Sequence, residues 1–160
     1  MRGSRSEIDE IDQRIIDALM RDGRMTITDL SVQVGLSKTP CAARVRRMEQ
    51  VGIIRGYAAY VDAAKLGRDH IAFVQVSLTD TKAAALDAFS VAVRAVPEIE
   101  QCHMIAGAFD FLLKVRTENI AEYRRVLAET ISALPFVSHT STFVAMETVK
   151  DEPVAFSGRR

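Results

Sequence analysis

Apolar residues recur every three or four positions along the first fifty residues, and farther along stretches with strict alternation appear between such runs. Ile8, Ile11, Ile15 and Leu19 form a stripe on a helix that opens at Ser6, with Asp9 three residues on as a capping box. Gly23 after Asp22 stops it. Thr26 with Asp29 caps a second helix whose inward residues are Ile27, Leu30 and Val34, and Gly35 ends it. Ser37 caps a third, its hydroxyl able to accept from the first-turn N–H groups. Pro40 lies within that turn, where a missing donor costs little. Cys41, Val45 and Met48 then share one face. Helices this short are unstable singly, but their three stripes can close one small core. Val51-Gly52-Ile53-Ile54 breaks the period, and Tyr57 to Asp62 reads as a strand leading out of a winged helical head.

The second half has a different rhythm. Ile71 to Leu78 alternates around Phe73, Val74 and Val76 as a strand. Lys82 to Val96 is an alanine-rich helix with Leu86, Phe89 and Val93 on one face, stopped by Pro97. Ile99 to Ile105 and Asp110 to Thr117 form a hairpin about the Gly107-Ala108 turn. Ile120 to Leu134 is another helix, closed by Pro135, and Val137 to Val149 a final long strand. The order β-α-β-β-α-β is that of a ferredoxin-like sandwich with helices on one face. The fold class is therefore α+β, with a head at 1–62, a sandwich at 63–150 and a loose tail at 151–160. Alternating apolar residues on the open sheet face imply a covering partner.

Composition changes this picture little. The 160 residues, 48% hydrophobic and 26% charged, are enough for a buried core. Lys and Arg number 21, as do Asp and Glu, so any basic surface is local. There is no long uncharged apolar run for a membrane span and no signal-peptide pattern. Cys41 and Cys102 lie far apart in apolar patterns and read as reduced core thiols, which points to the cytoplasm. His70, His103 and His139 lack ligand spacing, so neither metal nor cofactor is expected. Met1-Arg2-Gly3-Ser4 has the look of a vector leader.

Charge matters at one place. Lys38 to Arg47 carries Lys38, Arg44, Arg46 and Arg47 and no acid. Stepping 100° per residue, Thr39, Ala43, Arg46 and Arg47 oppose the apolar face, with Arg44 beside them. Charges alone make a solvated basic face. Added to a glycine-containing turn, a cap and a preceding helix, they make the recognition helix of a helix-turn-helix, suited to the major groove of double-stranded DNA. The candidate contacts are Ser37, Lys38, Thr39, Ala43, Arg44, Arg46 and Arg47.

Two other classes fit the residues less well. An enzyme on the same sandwich lacks a Ser/His/Asp order, a Gly-rich phosphate loop or a paired-carboxylate motif. An RNA-binding or assembly platform would favour solvent-facing aromatics, where the central strands carry Val, Ile and Leu.

Leu36-Ser37-Lys38-Thr39-Pro40-Cys41, Arg44-Val45-Arg46-Arg47-Met48-Glu49 and Gly52-Ile53-Ile54-Arg55-Gly56-Tyr57 resemble the head of the Lrp/AsnC, or feast/famine, transcription regulators. The similarity continues through Glu100-Gln101-Cys102-His103, Gly107 to Lys114, and Val144-Ala145-Met146-Glu147. Within the family it is nearest to the leucine-responsive regulators. The resemblance implies a DNA-binding head joined to a ligand-sensing sandwich, sheet-mediated homodimers that often build octamers, and an amino-acid effector held between dimers near the hairpin turn. There the turn amides about Gly107 can hold a carboxylate and Asp110 an ammonium. Met104 and Ile105 offer apolar contact, and Thr140 and Thr142 hydroxyls from a neighbouring chain. Ala108 stands where several relatives carry an acid, which opens space for leucine, proline or another apolar amino acid. On the residues alone, Gly107 serves the turn and Asp110 caps it.

Overall fold

A computed structural model of the protein describes residues 8–151. The expected helix start at Ser6, the leader-like residues 1–4 and the tail from 152 onward lie outside them. The chain divides into two units: the first holds the residues up to Tyr60 together with Lys150 and Asp151 among those described, and the second runs Val61–Val149.

The first unit contains α1 (Glu10–Arg21), α2 (Ile27–Val34) and α3 (Lys38–Gln50). The cap of α1 is Asp9 rather than Ser6. Its carboxylate accepts from the Asp12 N–H at 2.8 Å and Asp12 returns the bond at 3.2 Å, a capping box built from two aspartates. Ile8 thus precedes the helix and is exposed, and the buried face is Asp12, Ile15 and Ala18, with Ile11 and Leu19 half-buried. Thr26 caps α2 by accepting from Asp29 N–H at 3.2 Å. Gly35 ends it in the left-handed region, φ +73°, where a side chain would be strained. Ser37 occupies the cap position of α3, but its hydroxyl accepts no backbone N–H. Pro40 explains this correction: it stands at the third helical position, one of the two that such a cap serves, and has no N–H. Cys41, Val45 and Met48 close on Ile15, Ala18, Leu30 and Val34, with Ile53 and Ile54 packed at the margin.

Residues 57–62 form no strand, and the head has no wing among the described residues. The β-branched and aromatic residues there favour extended backbone, but a strand needs a hydrogen-bonding neighbour and this segment has none among the described residues.

The second unit holds β1 (His70–Leu78), α4 (Ala83–Val93), β2 (Ile99–Met104), β3 (Phe111–Thr117), α5 (Ile120–Glu129) and β4 (Val137–Val144). The strands pair antiparallel in the order β2-β3-β1-β4, the sandwich topology expected. Three elements of this unit are shorter than the sequence suggests by three residues or more. The helix α4 stops three residues before Val96, and α5 gives way to a 3-10 turn at Ile131–Ala133. β4 ends at Val144, which faces Ala72, and Ala145 N–H closes the ladder on Ile71 O at 2.9 Å.

The helix-facing side of the sheet carries Ala72, Val74, Val76, Phe111, Leu113 and Val115, packed with Phe89, Val93, Tyr123 and Val126. Phe89 and Phe111 stack with centroids 4.4 Å apart. The alternating apolar set is therefore consumed by the helices, which corrects the reading of the open face. By register that face carries Phe73 beside Phe143 and Leu112, among Gln75, Ser77, His139, Ser141 and a charged group. In that group Glu100 meets Arg116 at 2.5 Å and Lys114 at 3.4 Å.

Candidate functional site

The recognition helix and the hairpin turn fall in different units, and each is built locally. On α3 the apolar stripe fixes rotation, so Ser37, Lys38, Thr39, Ala43, Arg46 and Arg47 come out facing away from the core and Arg44 half-buried. Their surroundings differ in a way the helical wheel does not show. Arg44 donates to Asp9 at 2.5 Å and to Asp12 Oδ1 at 2.9 Å, and Arg47 donates to Asp12 Oδ2. Asp12 has no exposed surface. A buried carboxylate is tolerable only when paired and fully hydrogen-bonded, and here two guanidinium groups and a backbone N–H serve its oxygens. Asp9 is held below the usual carboxylate range, first by the Asp12 N–H and then by Arg44.

Two of the four expected DNA-facing cations are thus tied to α1. Lys38 and Arg46 make no ion pair among the described residues and stand with Thr39 and Ala43 on the open side of α3. Arg46 is the clean probe of a DNA contact; truncating Arg47 also strips a partner from a buried charge. Of the two carboxylates, Asp12 is missed in the sequence, and it leaves one signal. Asp12 sits three residues before Ile15 and seven before Leu19, on the apolar face of its own helix. Tyr57 closes the far end of α3, donating to Glu49 at 3.0 Å, and its ring passes close to Gly23. Burial, then the Glu49 carboxylate, pushes its phenol up.

The hairpin brings Met104, Ile105, Gly107, Ala108 and Asp110 together at the end of β2 and β3. Gly107 and Ala108 are exposed and Ile105 half-buried. Gly107 does not have a left-handed φ, and a Cβ there would meet only Ile105 Cγ2 at 3.5 Å, an ordinary contact. The turn geometry therefore does not demand glycine, contrary to the reading from the residues alone. Asp110 has a structural task. Its backbone N–H donates to Val76 O at 2.9 Å, its carbonyl accepts from Ile105 N–H at 2.8 Å, and its carboxylate accepts from Leu78 N–H at 2.7 Å. One carboxylate oxygen thus holds the hairpin to β1. Met104 is largely exposed and lines a cavity of about 440 Å³ with Ser90, Arg94, Cys102 and Phe111. Burial pushes the Cys102 thiol up, opposed by Arg94.

Thr140 and Thr142 stand on the far side of β1, opposite Val76 and Val74, roughly two strand spacings (~10 Å) from the Asp110 side. Thr142 corrects the expectation of a free hydroxyl: it faces the helices and shares a 2.5 Å hydrogen bond with Tyr123. Thr140 is half-buried.

Comparison with known proteins agrees with both halves. Residues 8–49 match the profile of the AsnC-type helix-turn-helix domain, and residues 71–155 that of the Lrp/AsnC ligand binding domain. A proline dehydrogenase transcriptional activator of Rhizobium radiobacter is 56% identical over 91% of this chain and 93% of its own. The leucine-responsive regulatory protein of Escherichia coli is 42% identical over 90% of this chain and 88% of its own. Among solved structures, a Neisseria meningitidis transcriptional regulator in complex with L-methionine superimposes with a TM-score of 0.81 at 29% identity, covering 89% of this chain and 92% of that one.

Proposed function

Because the chain belongs to the Lrp/AsnC family of transcriptional regulators, we propose that it holds double-stranded DNA on the open side of α3 and a small apolar amino acid at the hairpin turn. The protein is a transcriptional regulator and not an enzyme. Regulators of this family bind DNA and amino-acid effectors, and oligomerisation is typical of them. The proposal divides the work between a head at 1–62 and a sensing domain at 63–150, acting in the cytoplasm.

The observation that carries the DNA reading is Arg46, an exposed cation without an ion pair among the described residues, one turn from the small Ala43 and on the same exposed side as Thr39, two turns back. A small residue lets the helix sink into the groove while the guanidinium reaches a guanine edge or a phosphate. Arg46→Ala is expected to weaken operator binding by about 1–3 kcal/mol for a base contact and less for a phosphate. Unchanged affinity in a gel-shift titration at fixed salt refutes the assignment.

For the effector, the turn amides near Gly107 and Ala108 support binding of a carboxylate, and Asp110 of an ammonium. Met104 and Ile105 supply the apolar wall, and Thr140 of a neighbouring subunit a hydroxyl. The relative named for activating proline dehydrogenase makes proline the first candidate and a proline dehydrogenase gene the first target; leucine and methionine follow from the other relatives. A thermal-shift screen over the twenty amino acids tests this, since a specific ligand raises the melting temperature by mass action. No shift with any apolar amino acid removes the site. Phe73 beside Phe143 on the open sheet face supports a homodimer, and dimers of this kind assembling to an octamer complete the proposal. A monomer at micromolar concentration in analytical ultracentrifugation contradicts it.

A further inference from the structure

The cationic helix α3 is answered by an acid that no DNA-binding motif requires. Asp12 is completely buried and spends its two oxygens on two arginines of the neighbouring helix. Those arginines are three residues apart, so they leave α3 on adjacent turns and converge on one point of α1. Asp12 itself is fixed by the capping box with Asp9, at the positive end of the α1 dipole. Its position is thereby set by backbone rather than by a flexible side chain.

We infer that Asp12 is a positioning residue for DNA recognition: it withdraws Arg44 and Arg47 from the phosphate backbone, leaving Lys38 and Arg46 as the cations that meet DNA. The geometry gives the reason. A guanidinium held at a buried carboxylate has its charge compensated and a donor committed to that carboxylate, even where part of it stays exposed as in Arg47, so it contributes little to counterion release on binding. Removing those two charges from the interface lowers affinity for random sequence, which is carried by phosphates, more than affinity for an operator read through Arg46, Thr39 and Ala43. Asp12 thus raises the ratio of specific to non-specific binding without touching DNA.

The inference rests on the DNA-binding reading above, and a random-sequence duplex of about 24 base pairs tests it without a known operator. Fluorescence anisotropy over a series of salt concentrations gives the slope of log K against log salt, which changes by about 0.9 for each phosphate the protein neutralises. Arg46→Ala is expected to flatten the wild-type slope by about 0.9 if Arg46 meets a phosphate, and its effect belongs to the general reading. Arg47→Met is expected to leave the slope unchanged, and it keeps Arg44 as a partner for Asp12. Asp12→Asn, checked for helical circular dichroism, is expected to steepen the slope by about 0.9–1.8, as one or both arginines are freed. A purely structural Asp12 would lower the melting temperature and leave the slope where it was, so a folded Asp12→Asn with the wild-type slope overturns the inference. So does an Arg47→Met that flattens the slope by about 0.9, and this second result decides the matter if Asp12→Asn does not fold. A wild type that binds no duplex removes the general reading and this inference together.

Discussion

Asp110 holds the hairpin to the sheet and also stands where an effector's ammonium is proposed, so Asp110→Ala mixes two losses that Asp110→Asn separates. The carboxylate accepts from Leu78 N–H at 2.7 Å, and Leu78 is only 9% exposed. A hydrogen bond to a charged group contributes about 1.5–3 kcal/mol, and the alanine variant leaves that N–H without a partner. For a domain of this size each kcal/mol moves the melting temperature by about 4–8 °C, so Asp110→Ala is expected to lower it by roughly 6–24 °C. Asparagine keeps a carbonyl oxygen to accept from Leu78 and loses only the charge, a difference of about 1 kcal/mol. The effector sees the opposite ranking. With asparagine the hairpin stays in place while the ammonium loses its counter-charge, and affinity falls about ten- to a hundredfold. Scanning calorimetry on both variants, with isothermal titration of the amino acid that scores best in the thermal screen, reads the two effects separately. If Asp110→Ala melts with wild type, the hairpin bond stabilises nothing. If Asp110→Asn binds the effector as tightly as wild type, Asp110 is not the ammonium partner.

Phe89→Ala is expected to destabilise the second unit by about 3–5 kcal/mol, because Phe89 is fully buried and stacked on Phe111; a stability loss below about 1 kcal/mol in denaturant unfolding would refute the packing described. Gly35→Ala forces a Cβ into the left-handed region at φ +73° and is expected to cost about 1–2 kcal/mol in urea unfolding followed by helical circular dichroism, with no steric clash to relieve it. Alkali is expected to destabilise the fold. Burial raises the Cys41 and Cys102 thiols and the Tyr123 phenol above their ordinary values, so the folded chain keeps protons that the unfolded chain has released. The unfolded thiol titrates near pH ~8.5 and the phenol near ~10. Stability from these groups is therefore full below about pH 8.5 and declines as pH rises through the folded values, and a melting temperature that rises between about pH 8.5 and about 10.5 contradicts the sign.

The parts of the fold legible in the sequence are those governed by period and punctuation. Gly35 ends α2, and Cys41, Val45 and Met48 orient α3, because the 3.6-residue period leaves no other face to bury. The sandwich order is legible for the same reason, since Val74 and Val76 against Leu113 and Val115 obey a period of two. Pairing between elements is not. Nothing local says that Arg44 and Arg47 turn to Asp12, that Pro40 disarms Ser37 as a cap, or that Thr142 is taken by Tyr123. The segment 57–62 fails differently: strand propensity is present, but a ladder is a property of two segments. Gly107 reads as a turn requirement and is not one, because a glycine's φ cannot be read from its neighbours.

The glycines at 35 and 52 lie on either side of α3, at φ +73° and +75°, and a Cβ at either would have open space around it. Between them the helix is held by three apolar side chains and by ties to α1, none of which uses Thr39, Ala43 or Arg46. This makes α3 a cassette. Its outward letters can be rewritten in a library of substitutions while the core that retains it stays constant, and most members of that library should fold. A new DNA specificity is then a short mutational path from this chain, one that evolution or a designer can walk without first raising the protein's stability.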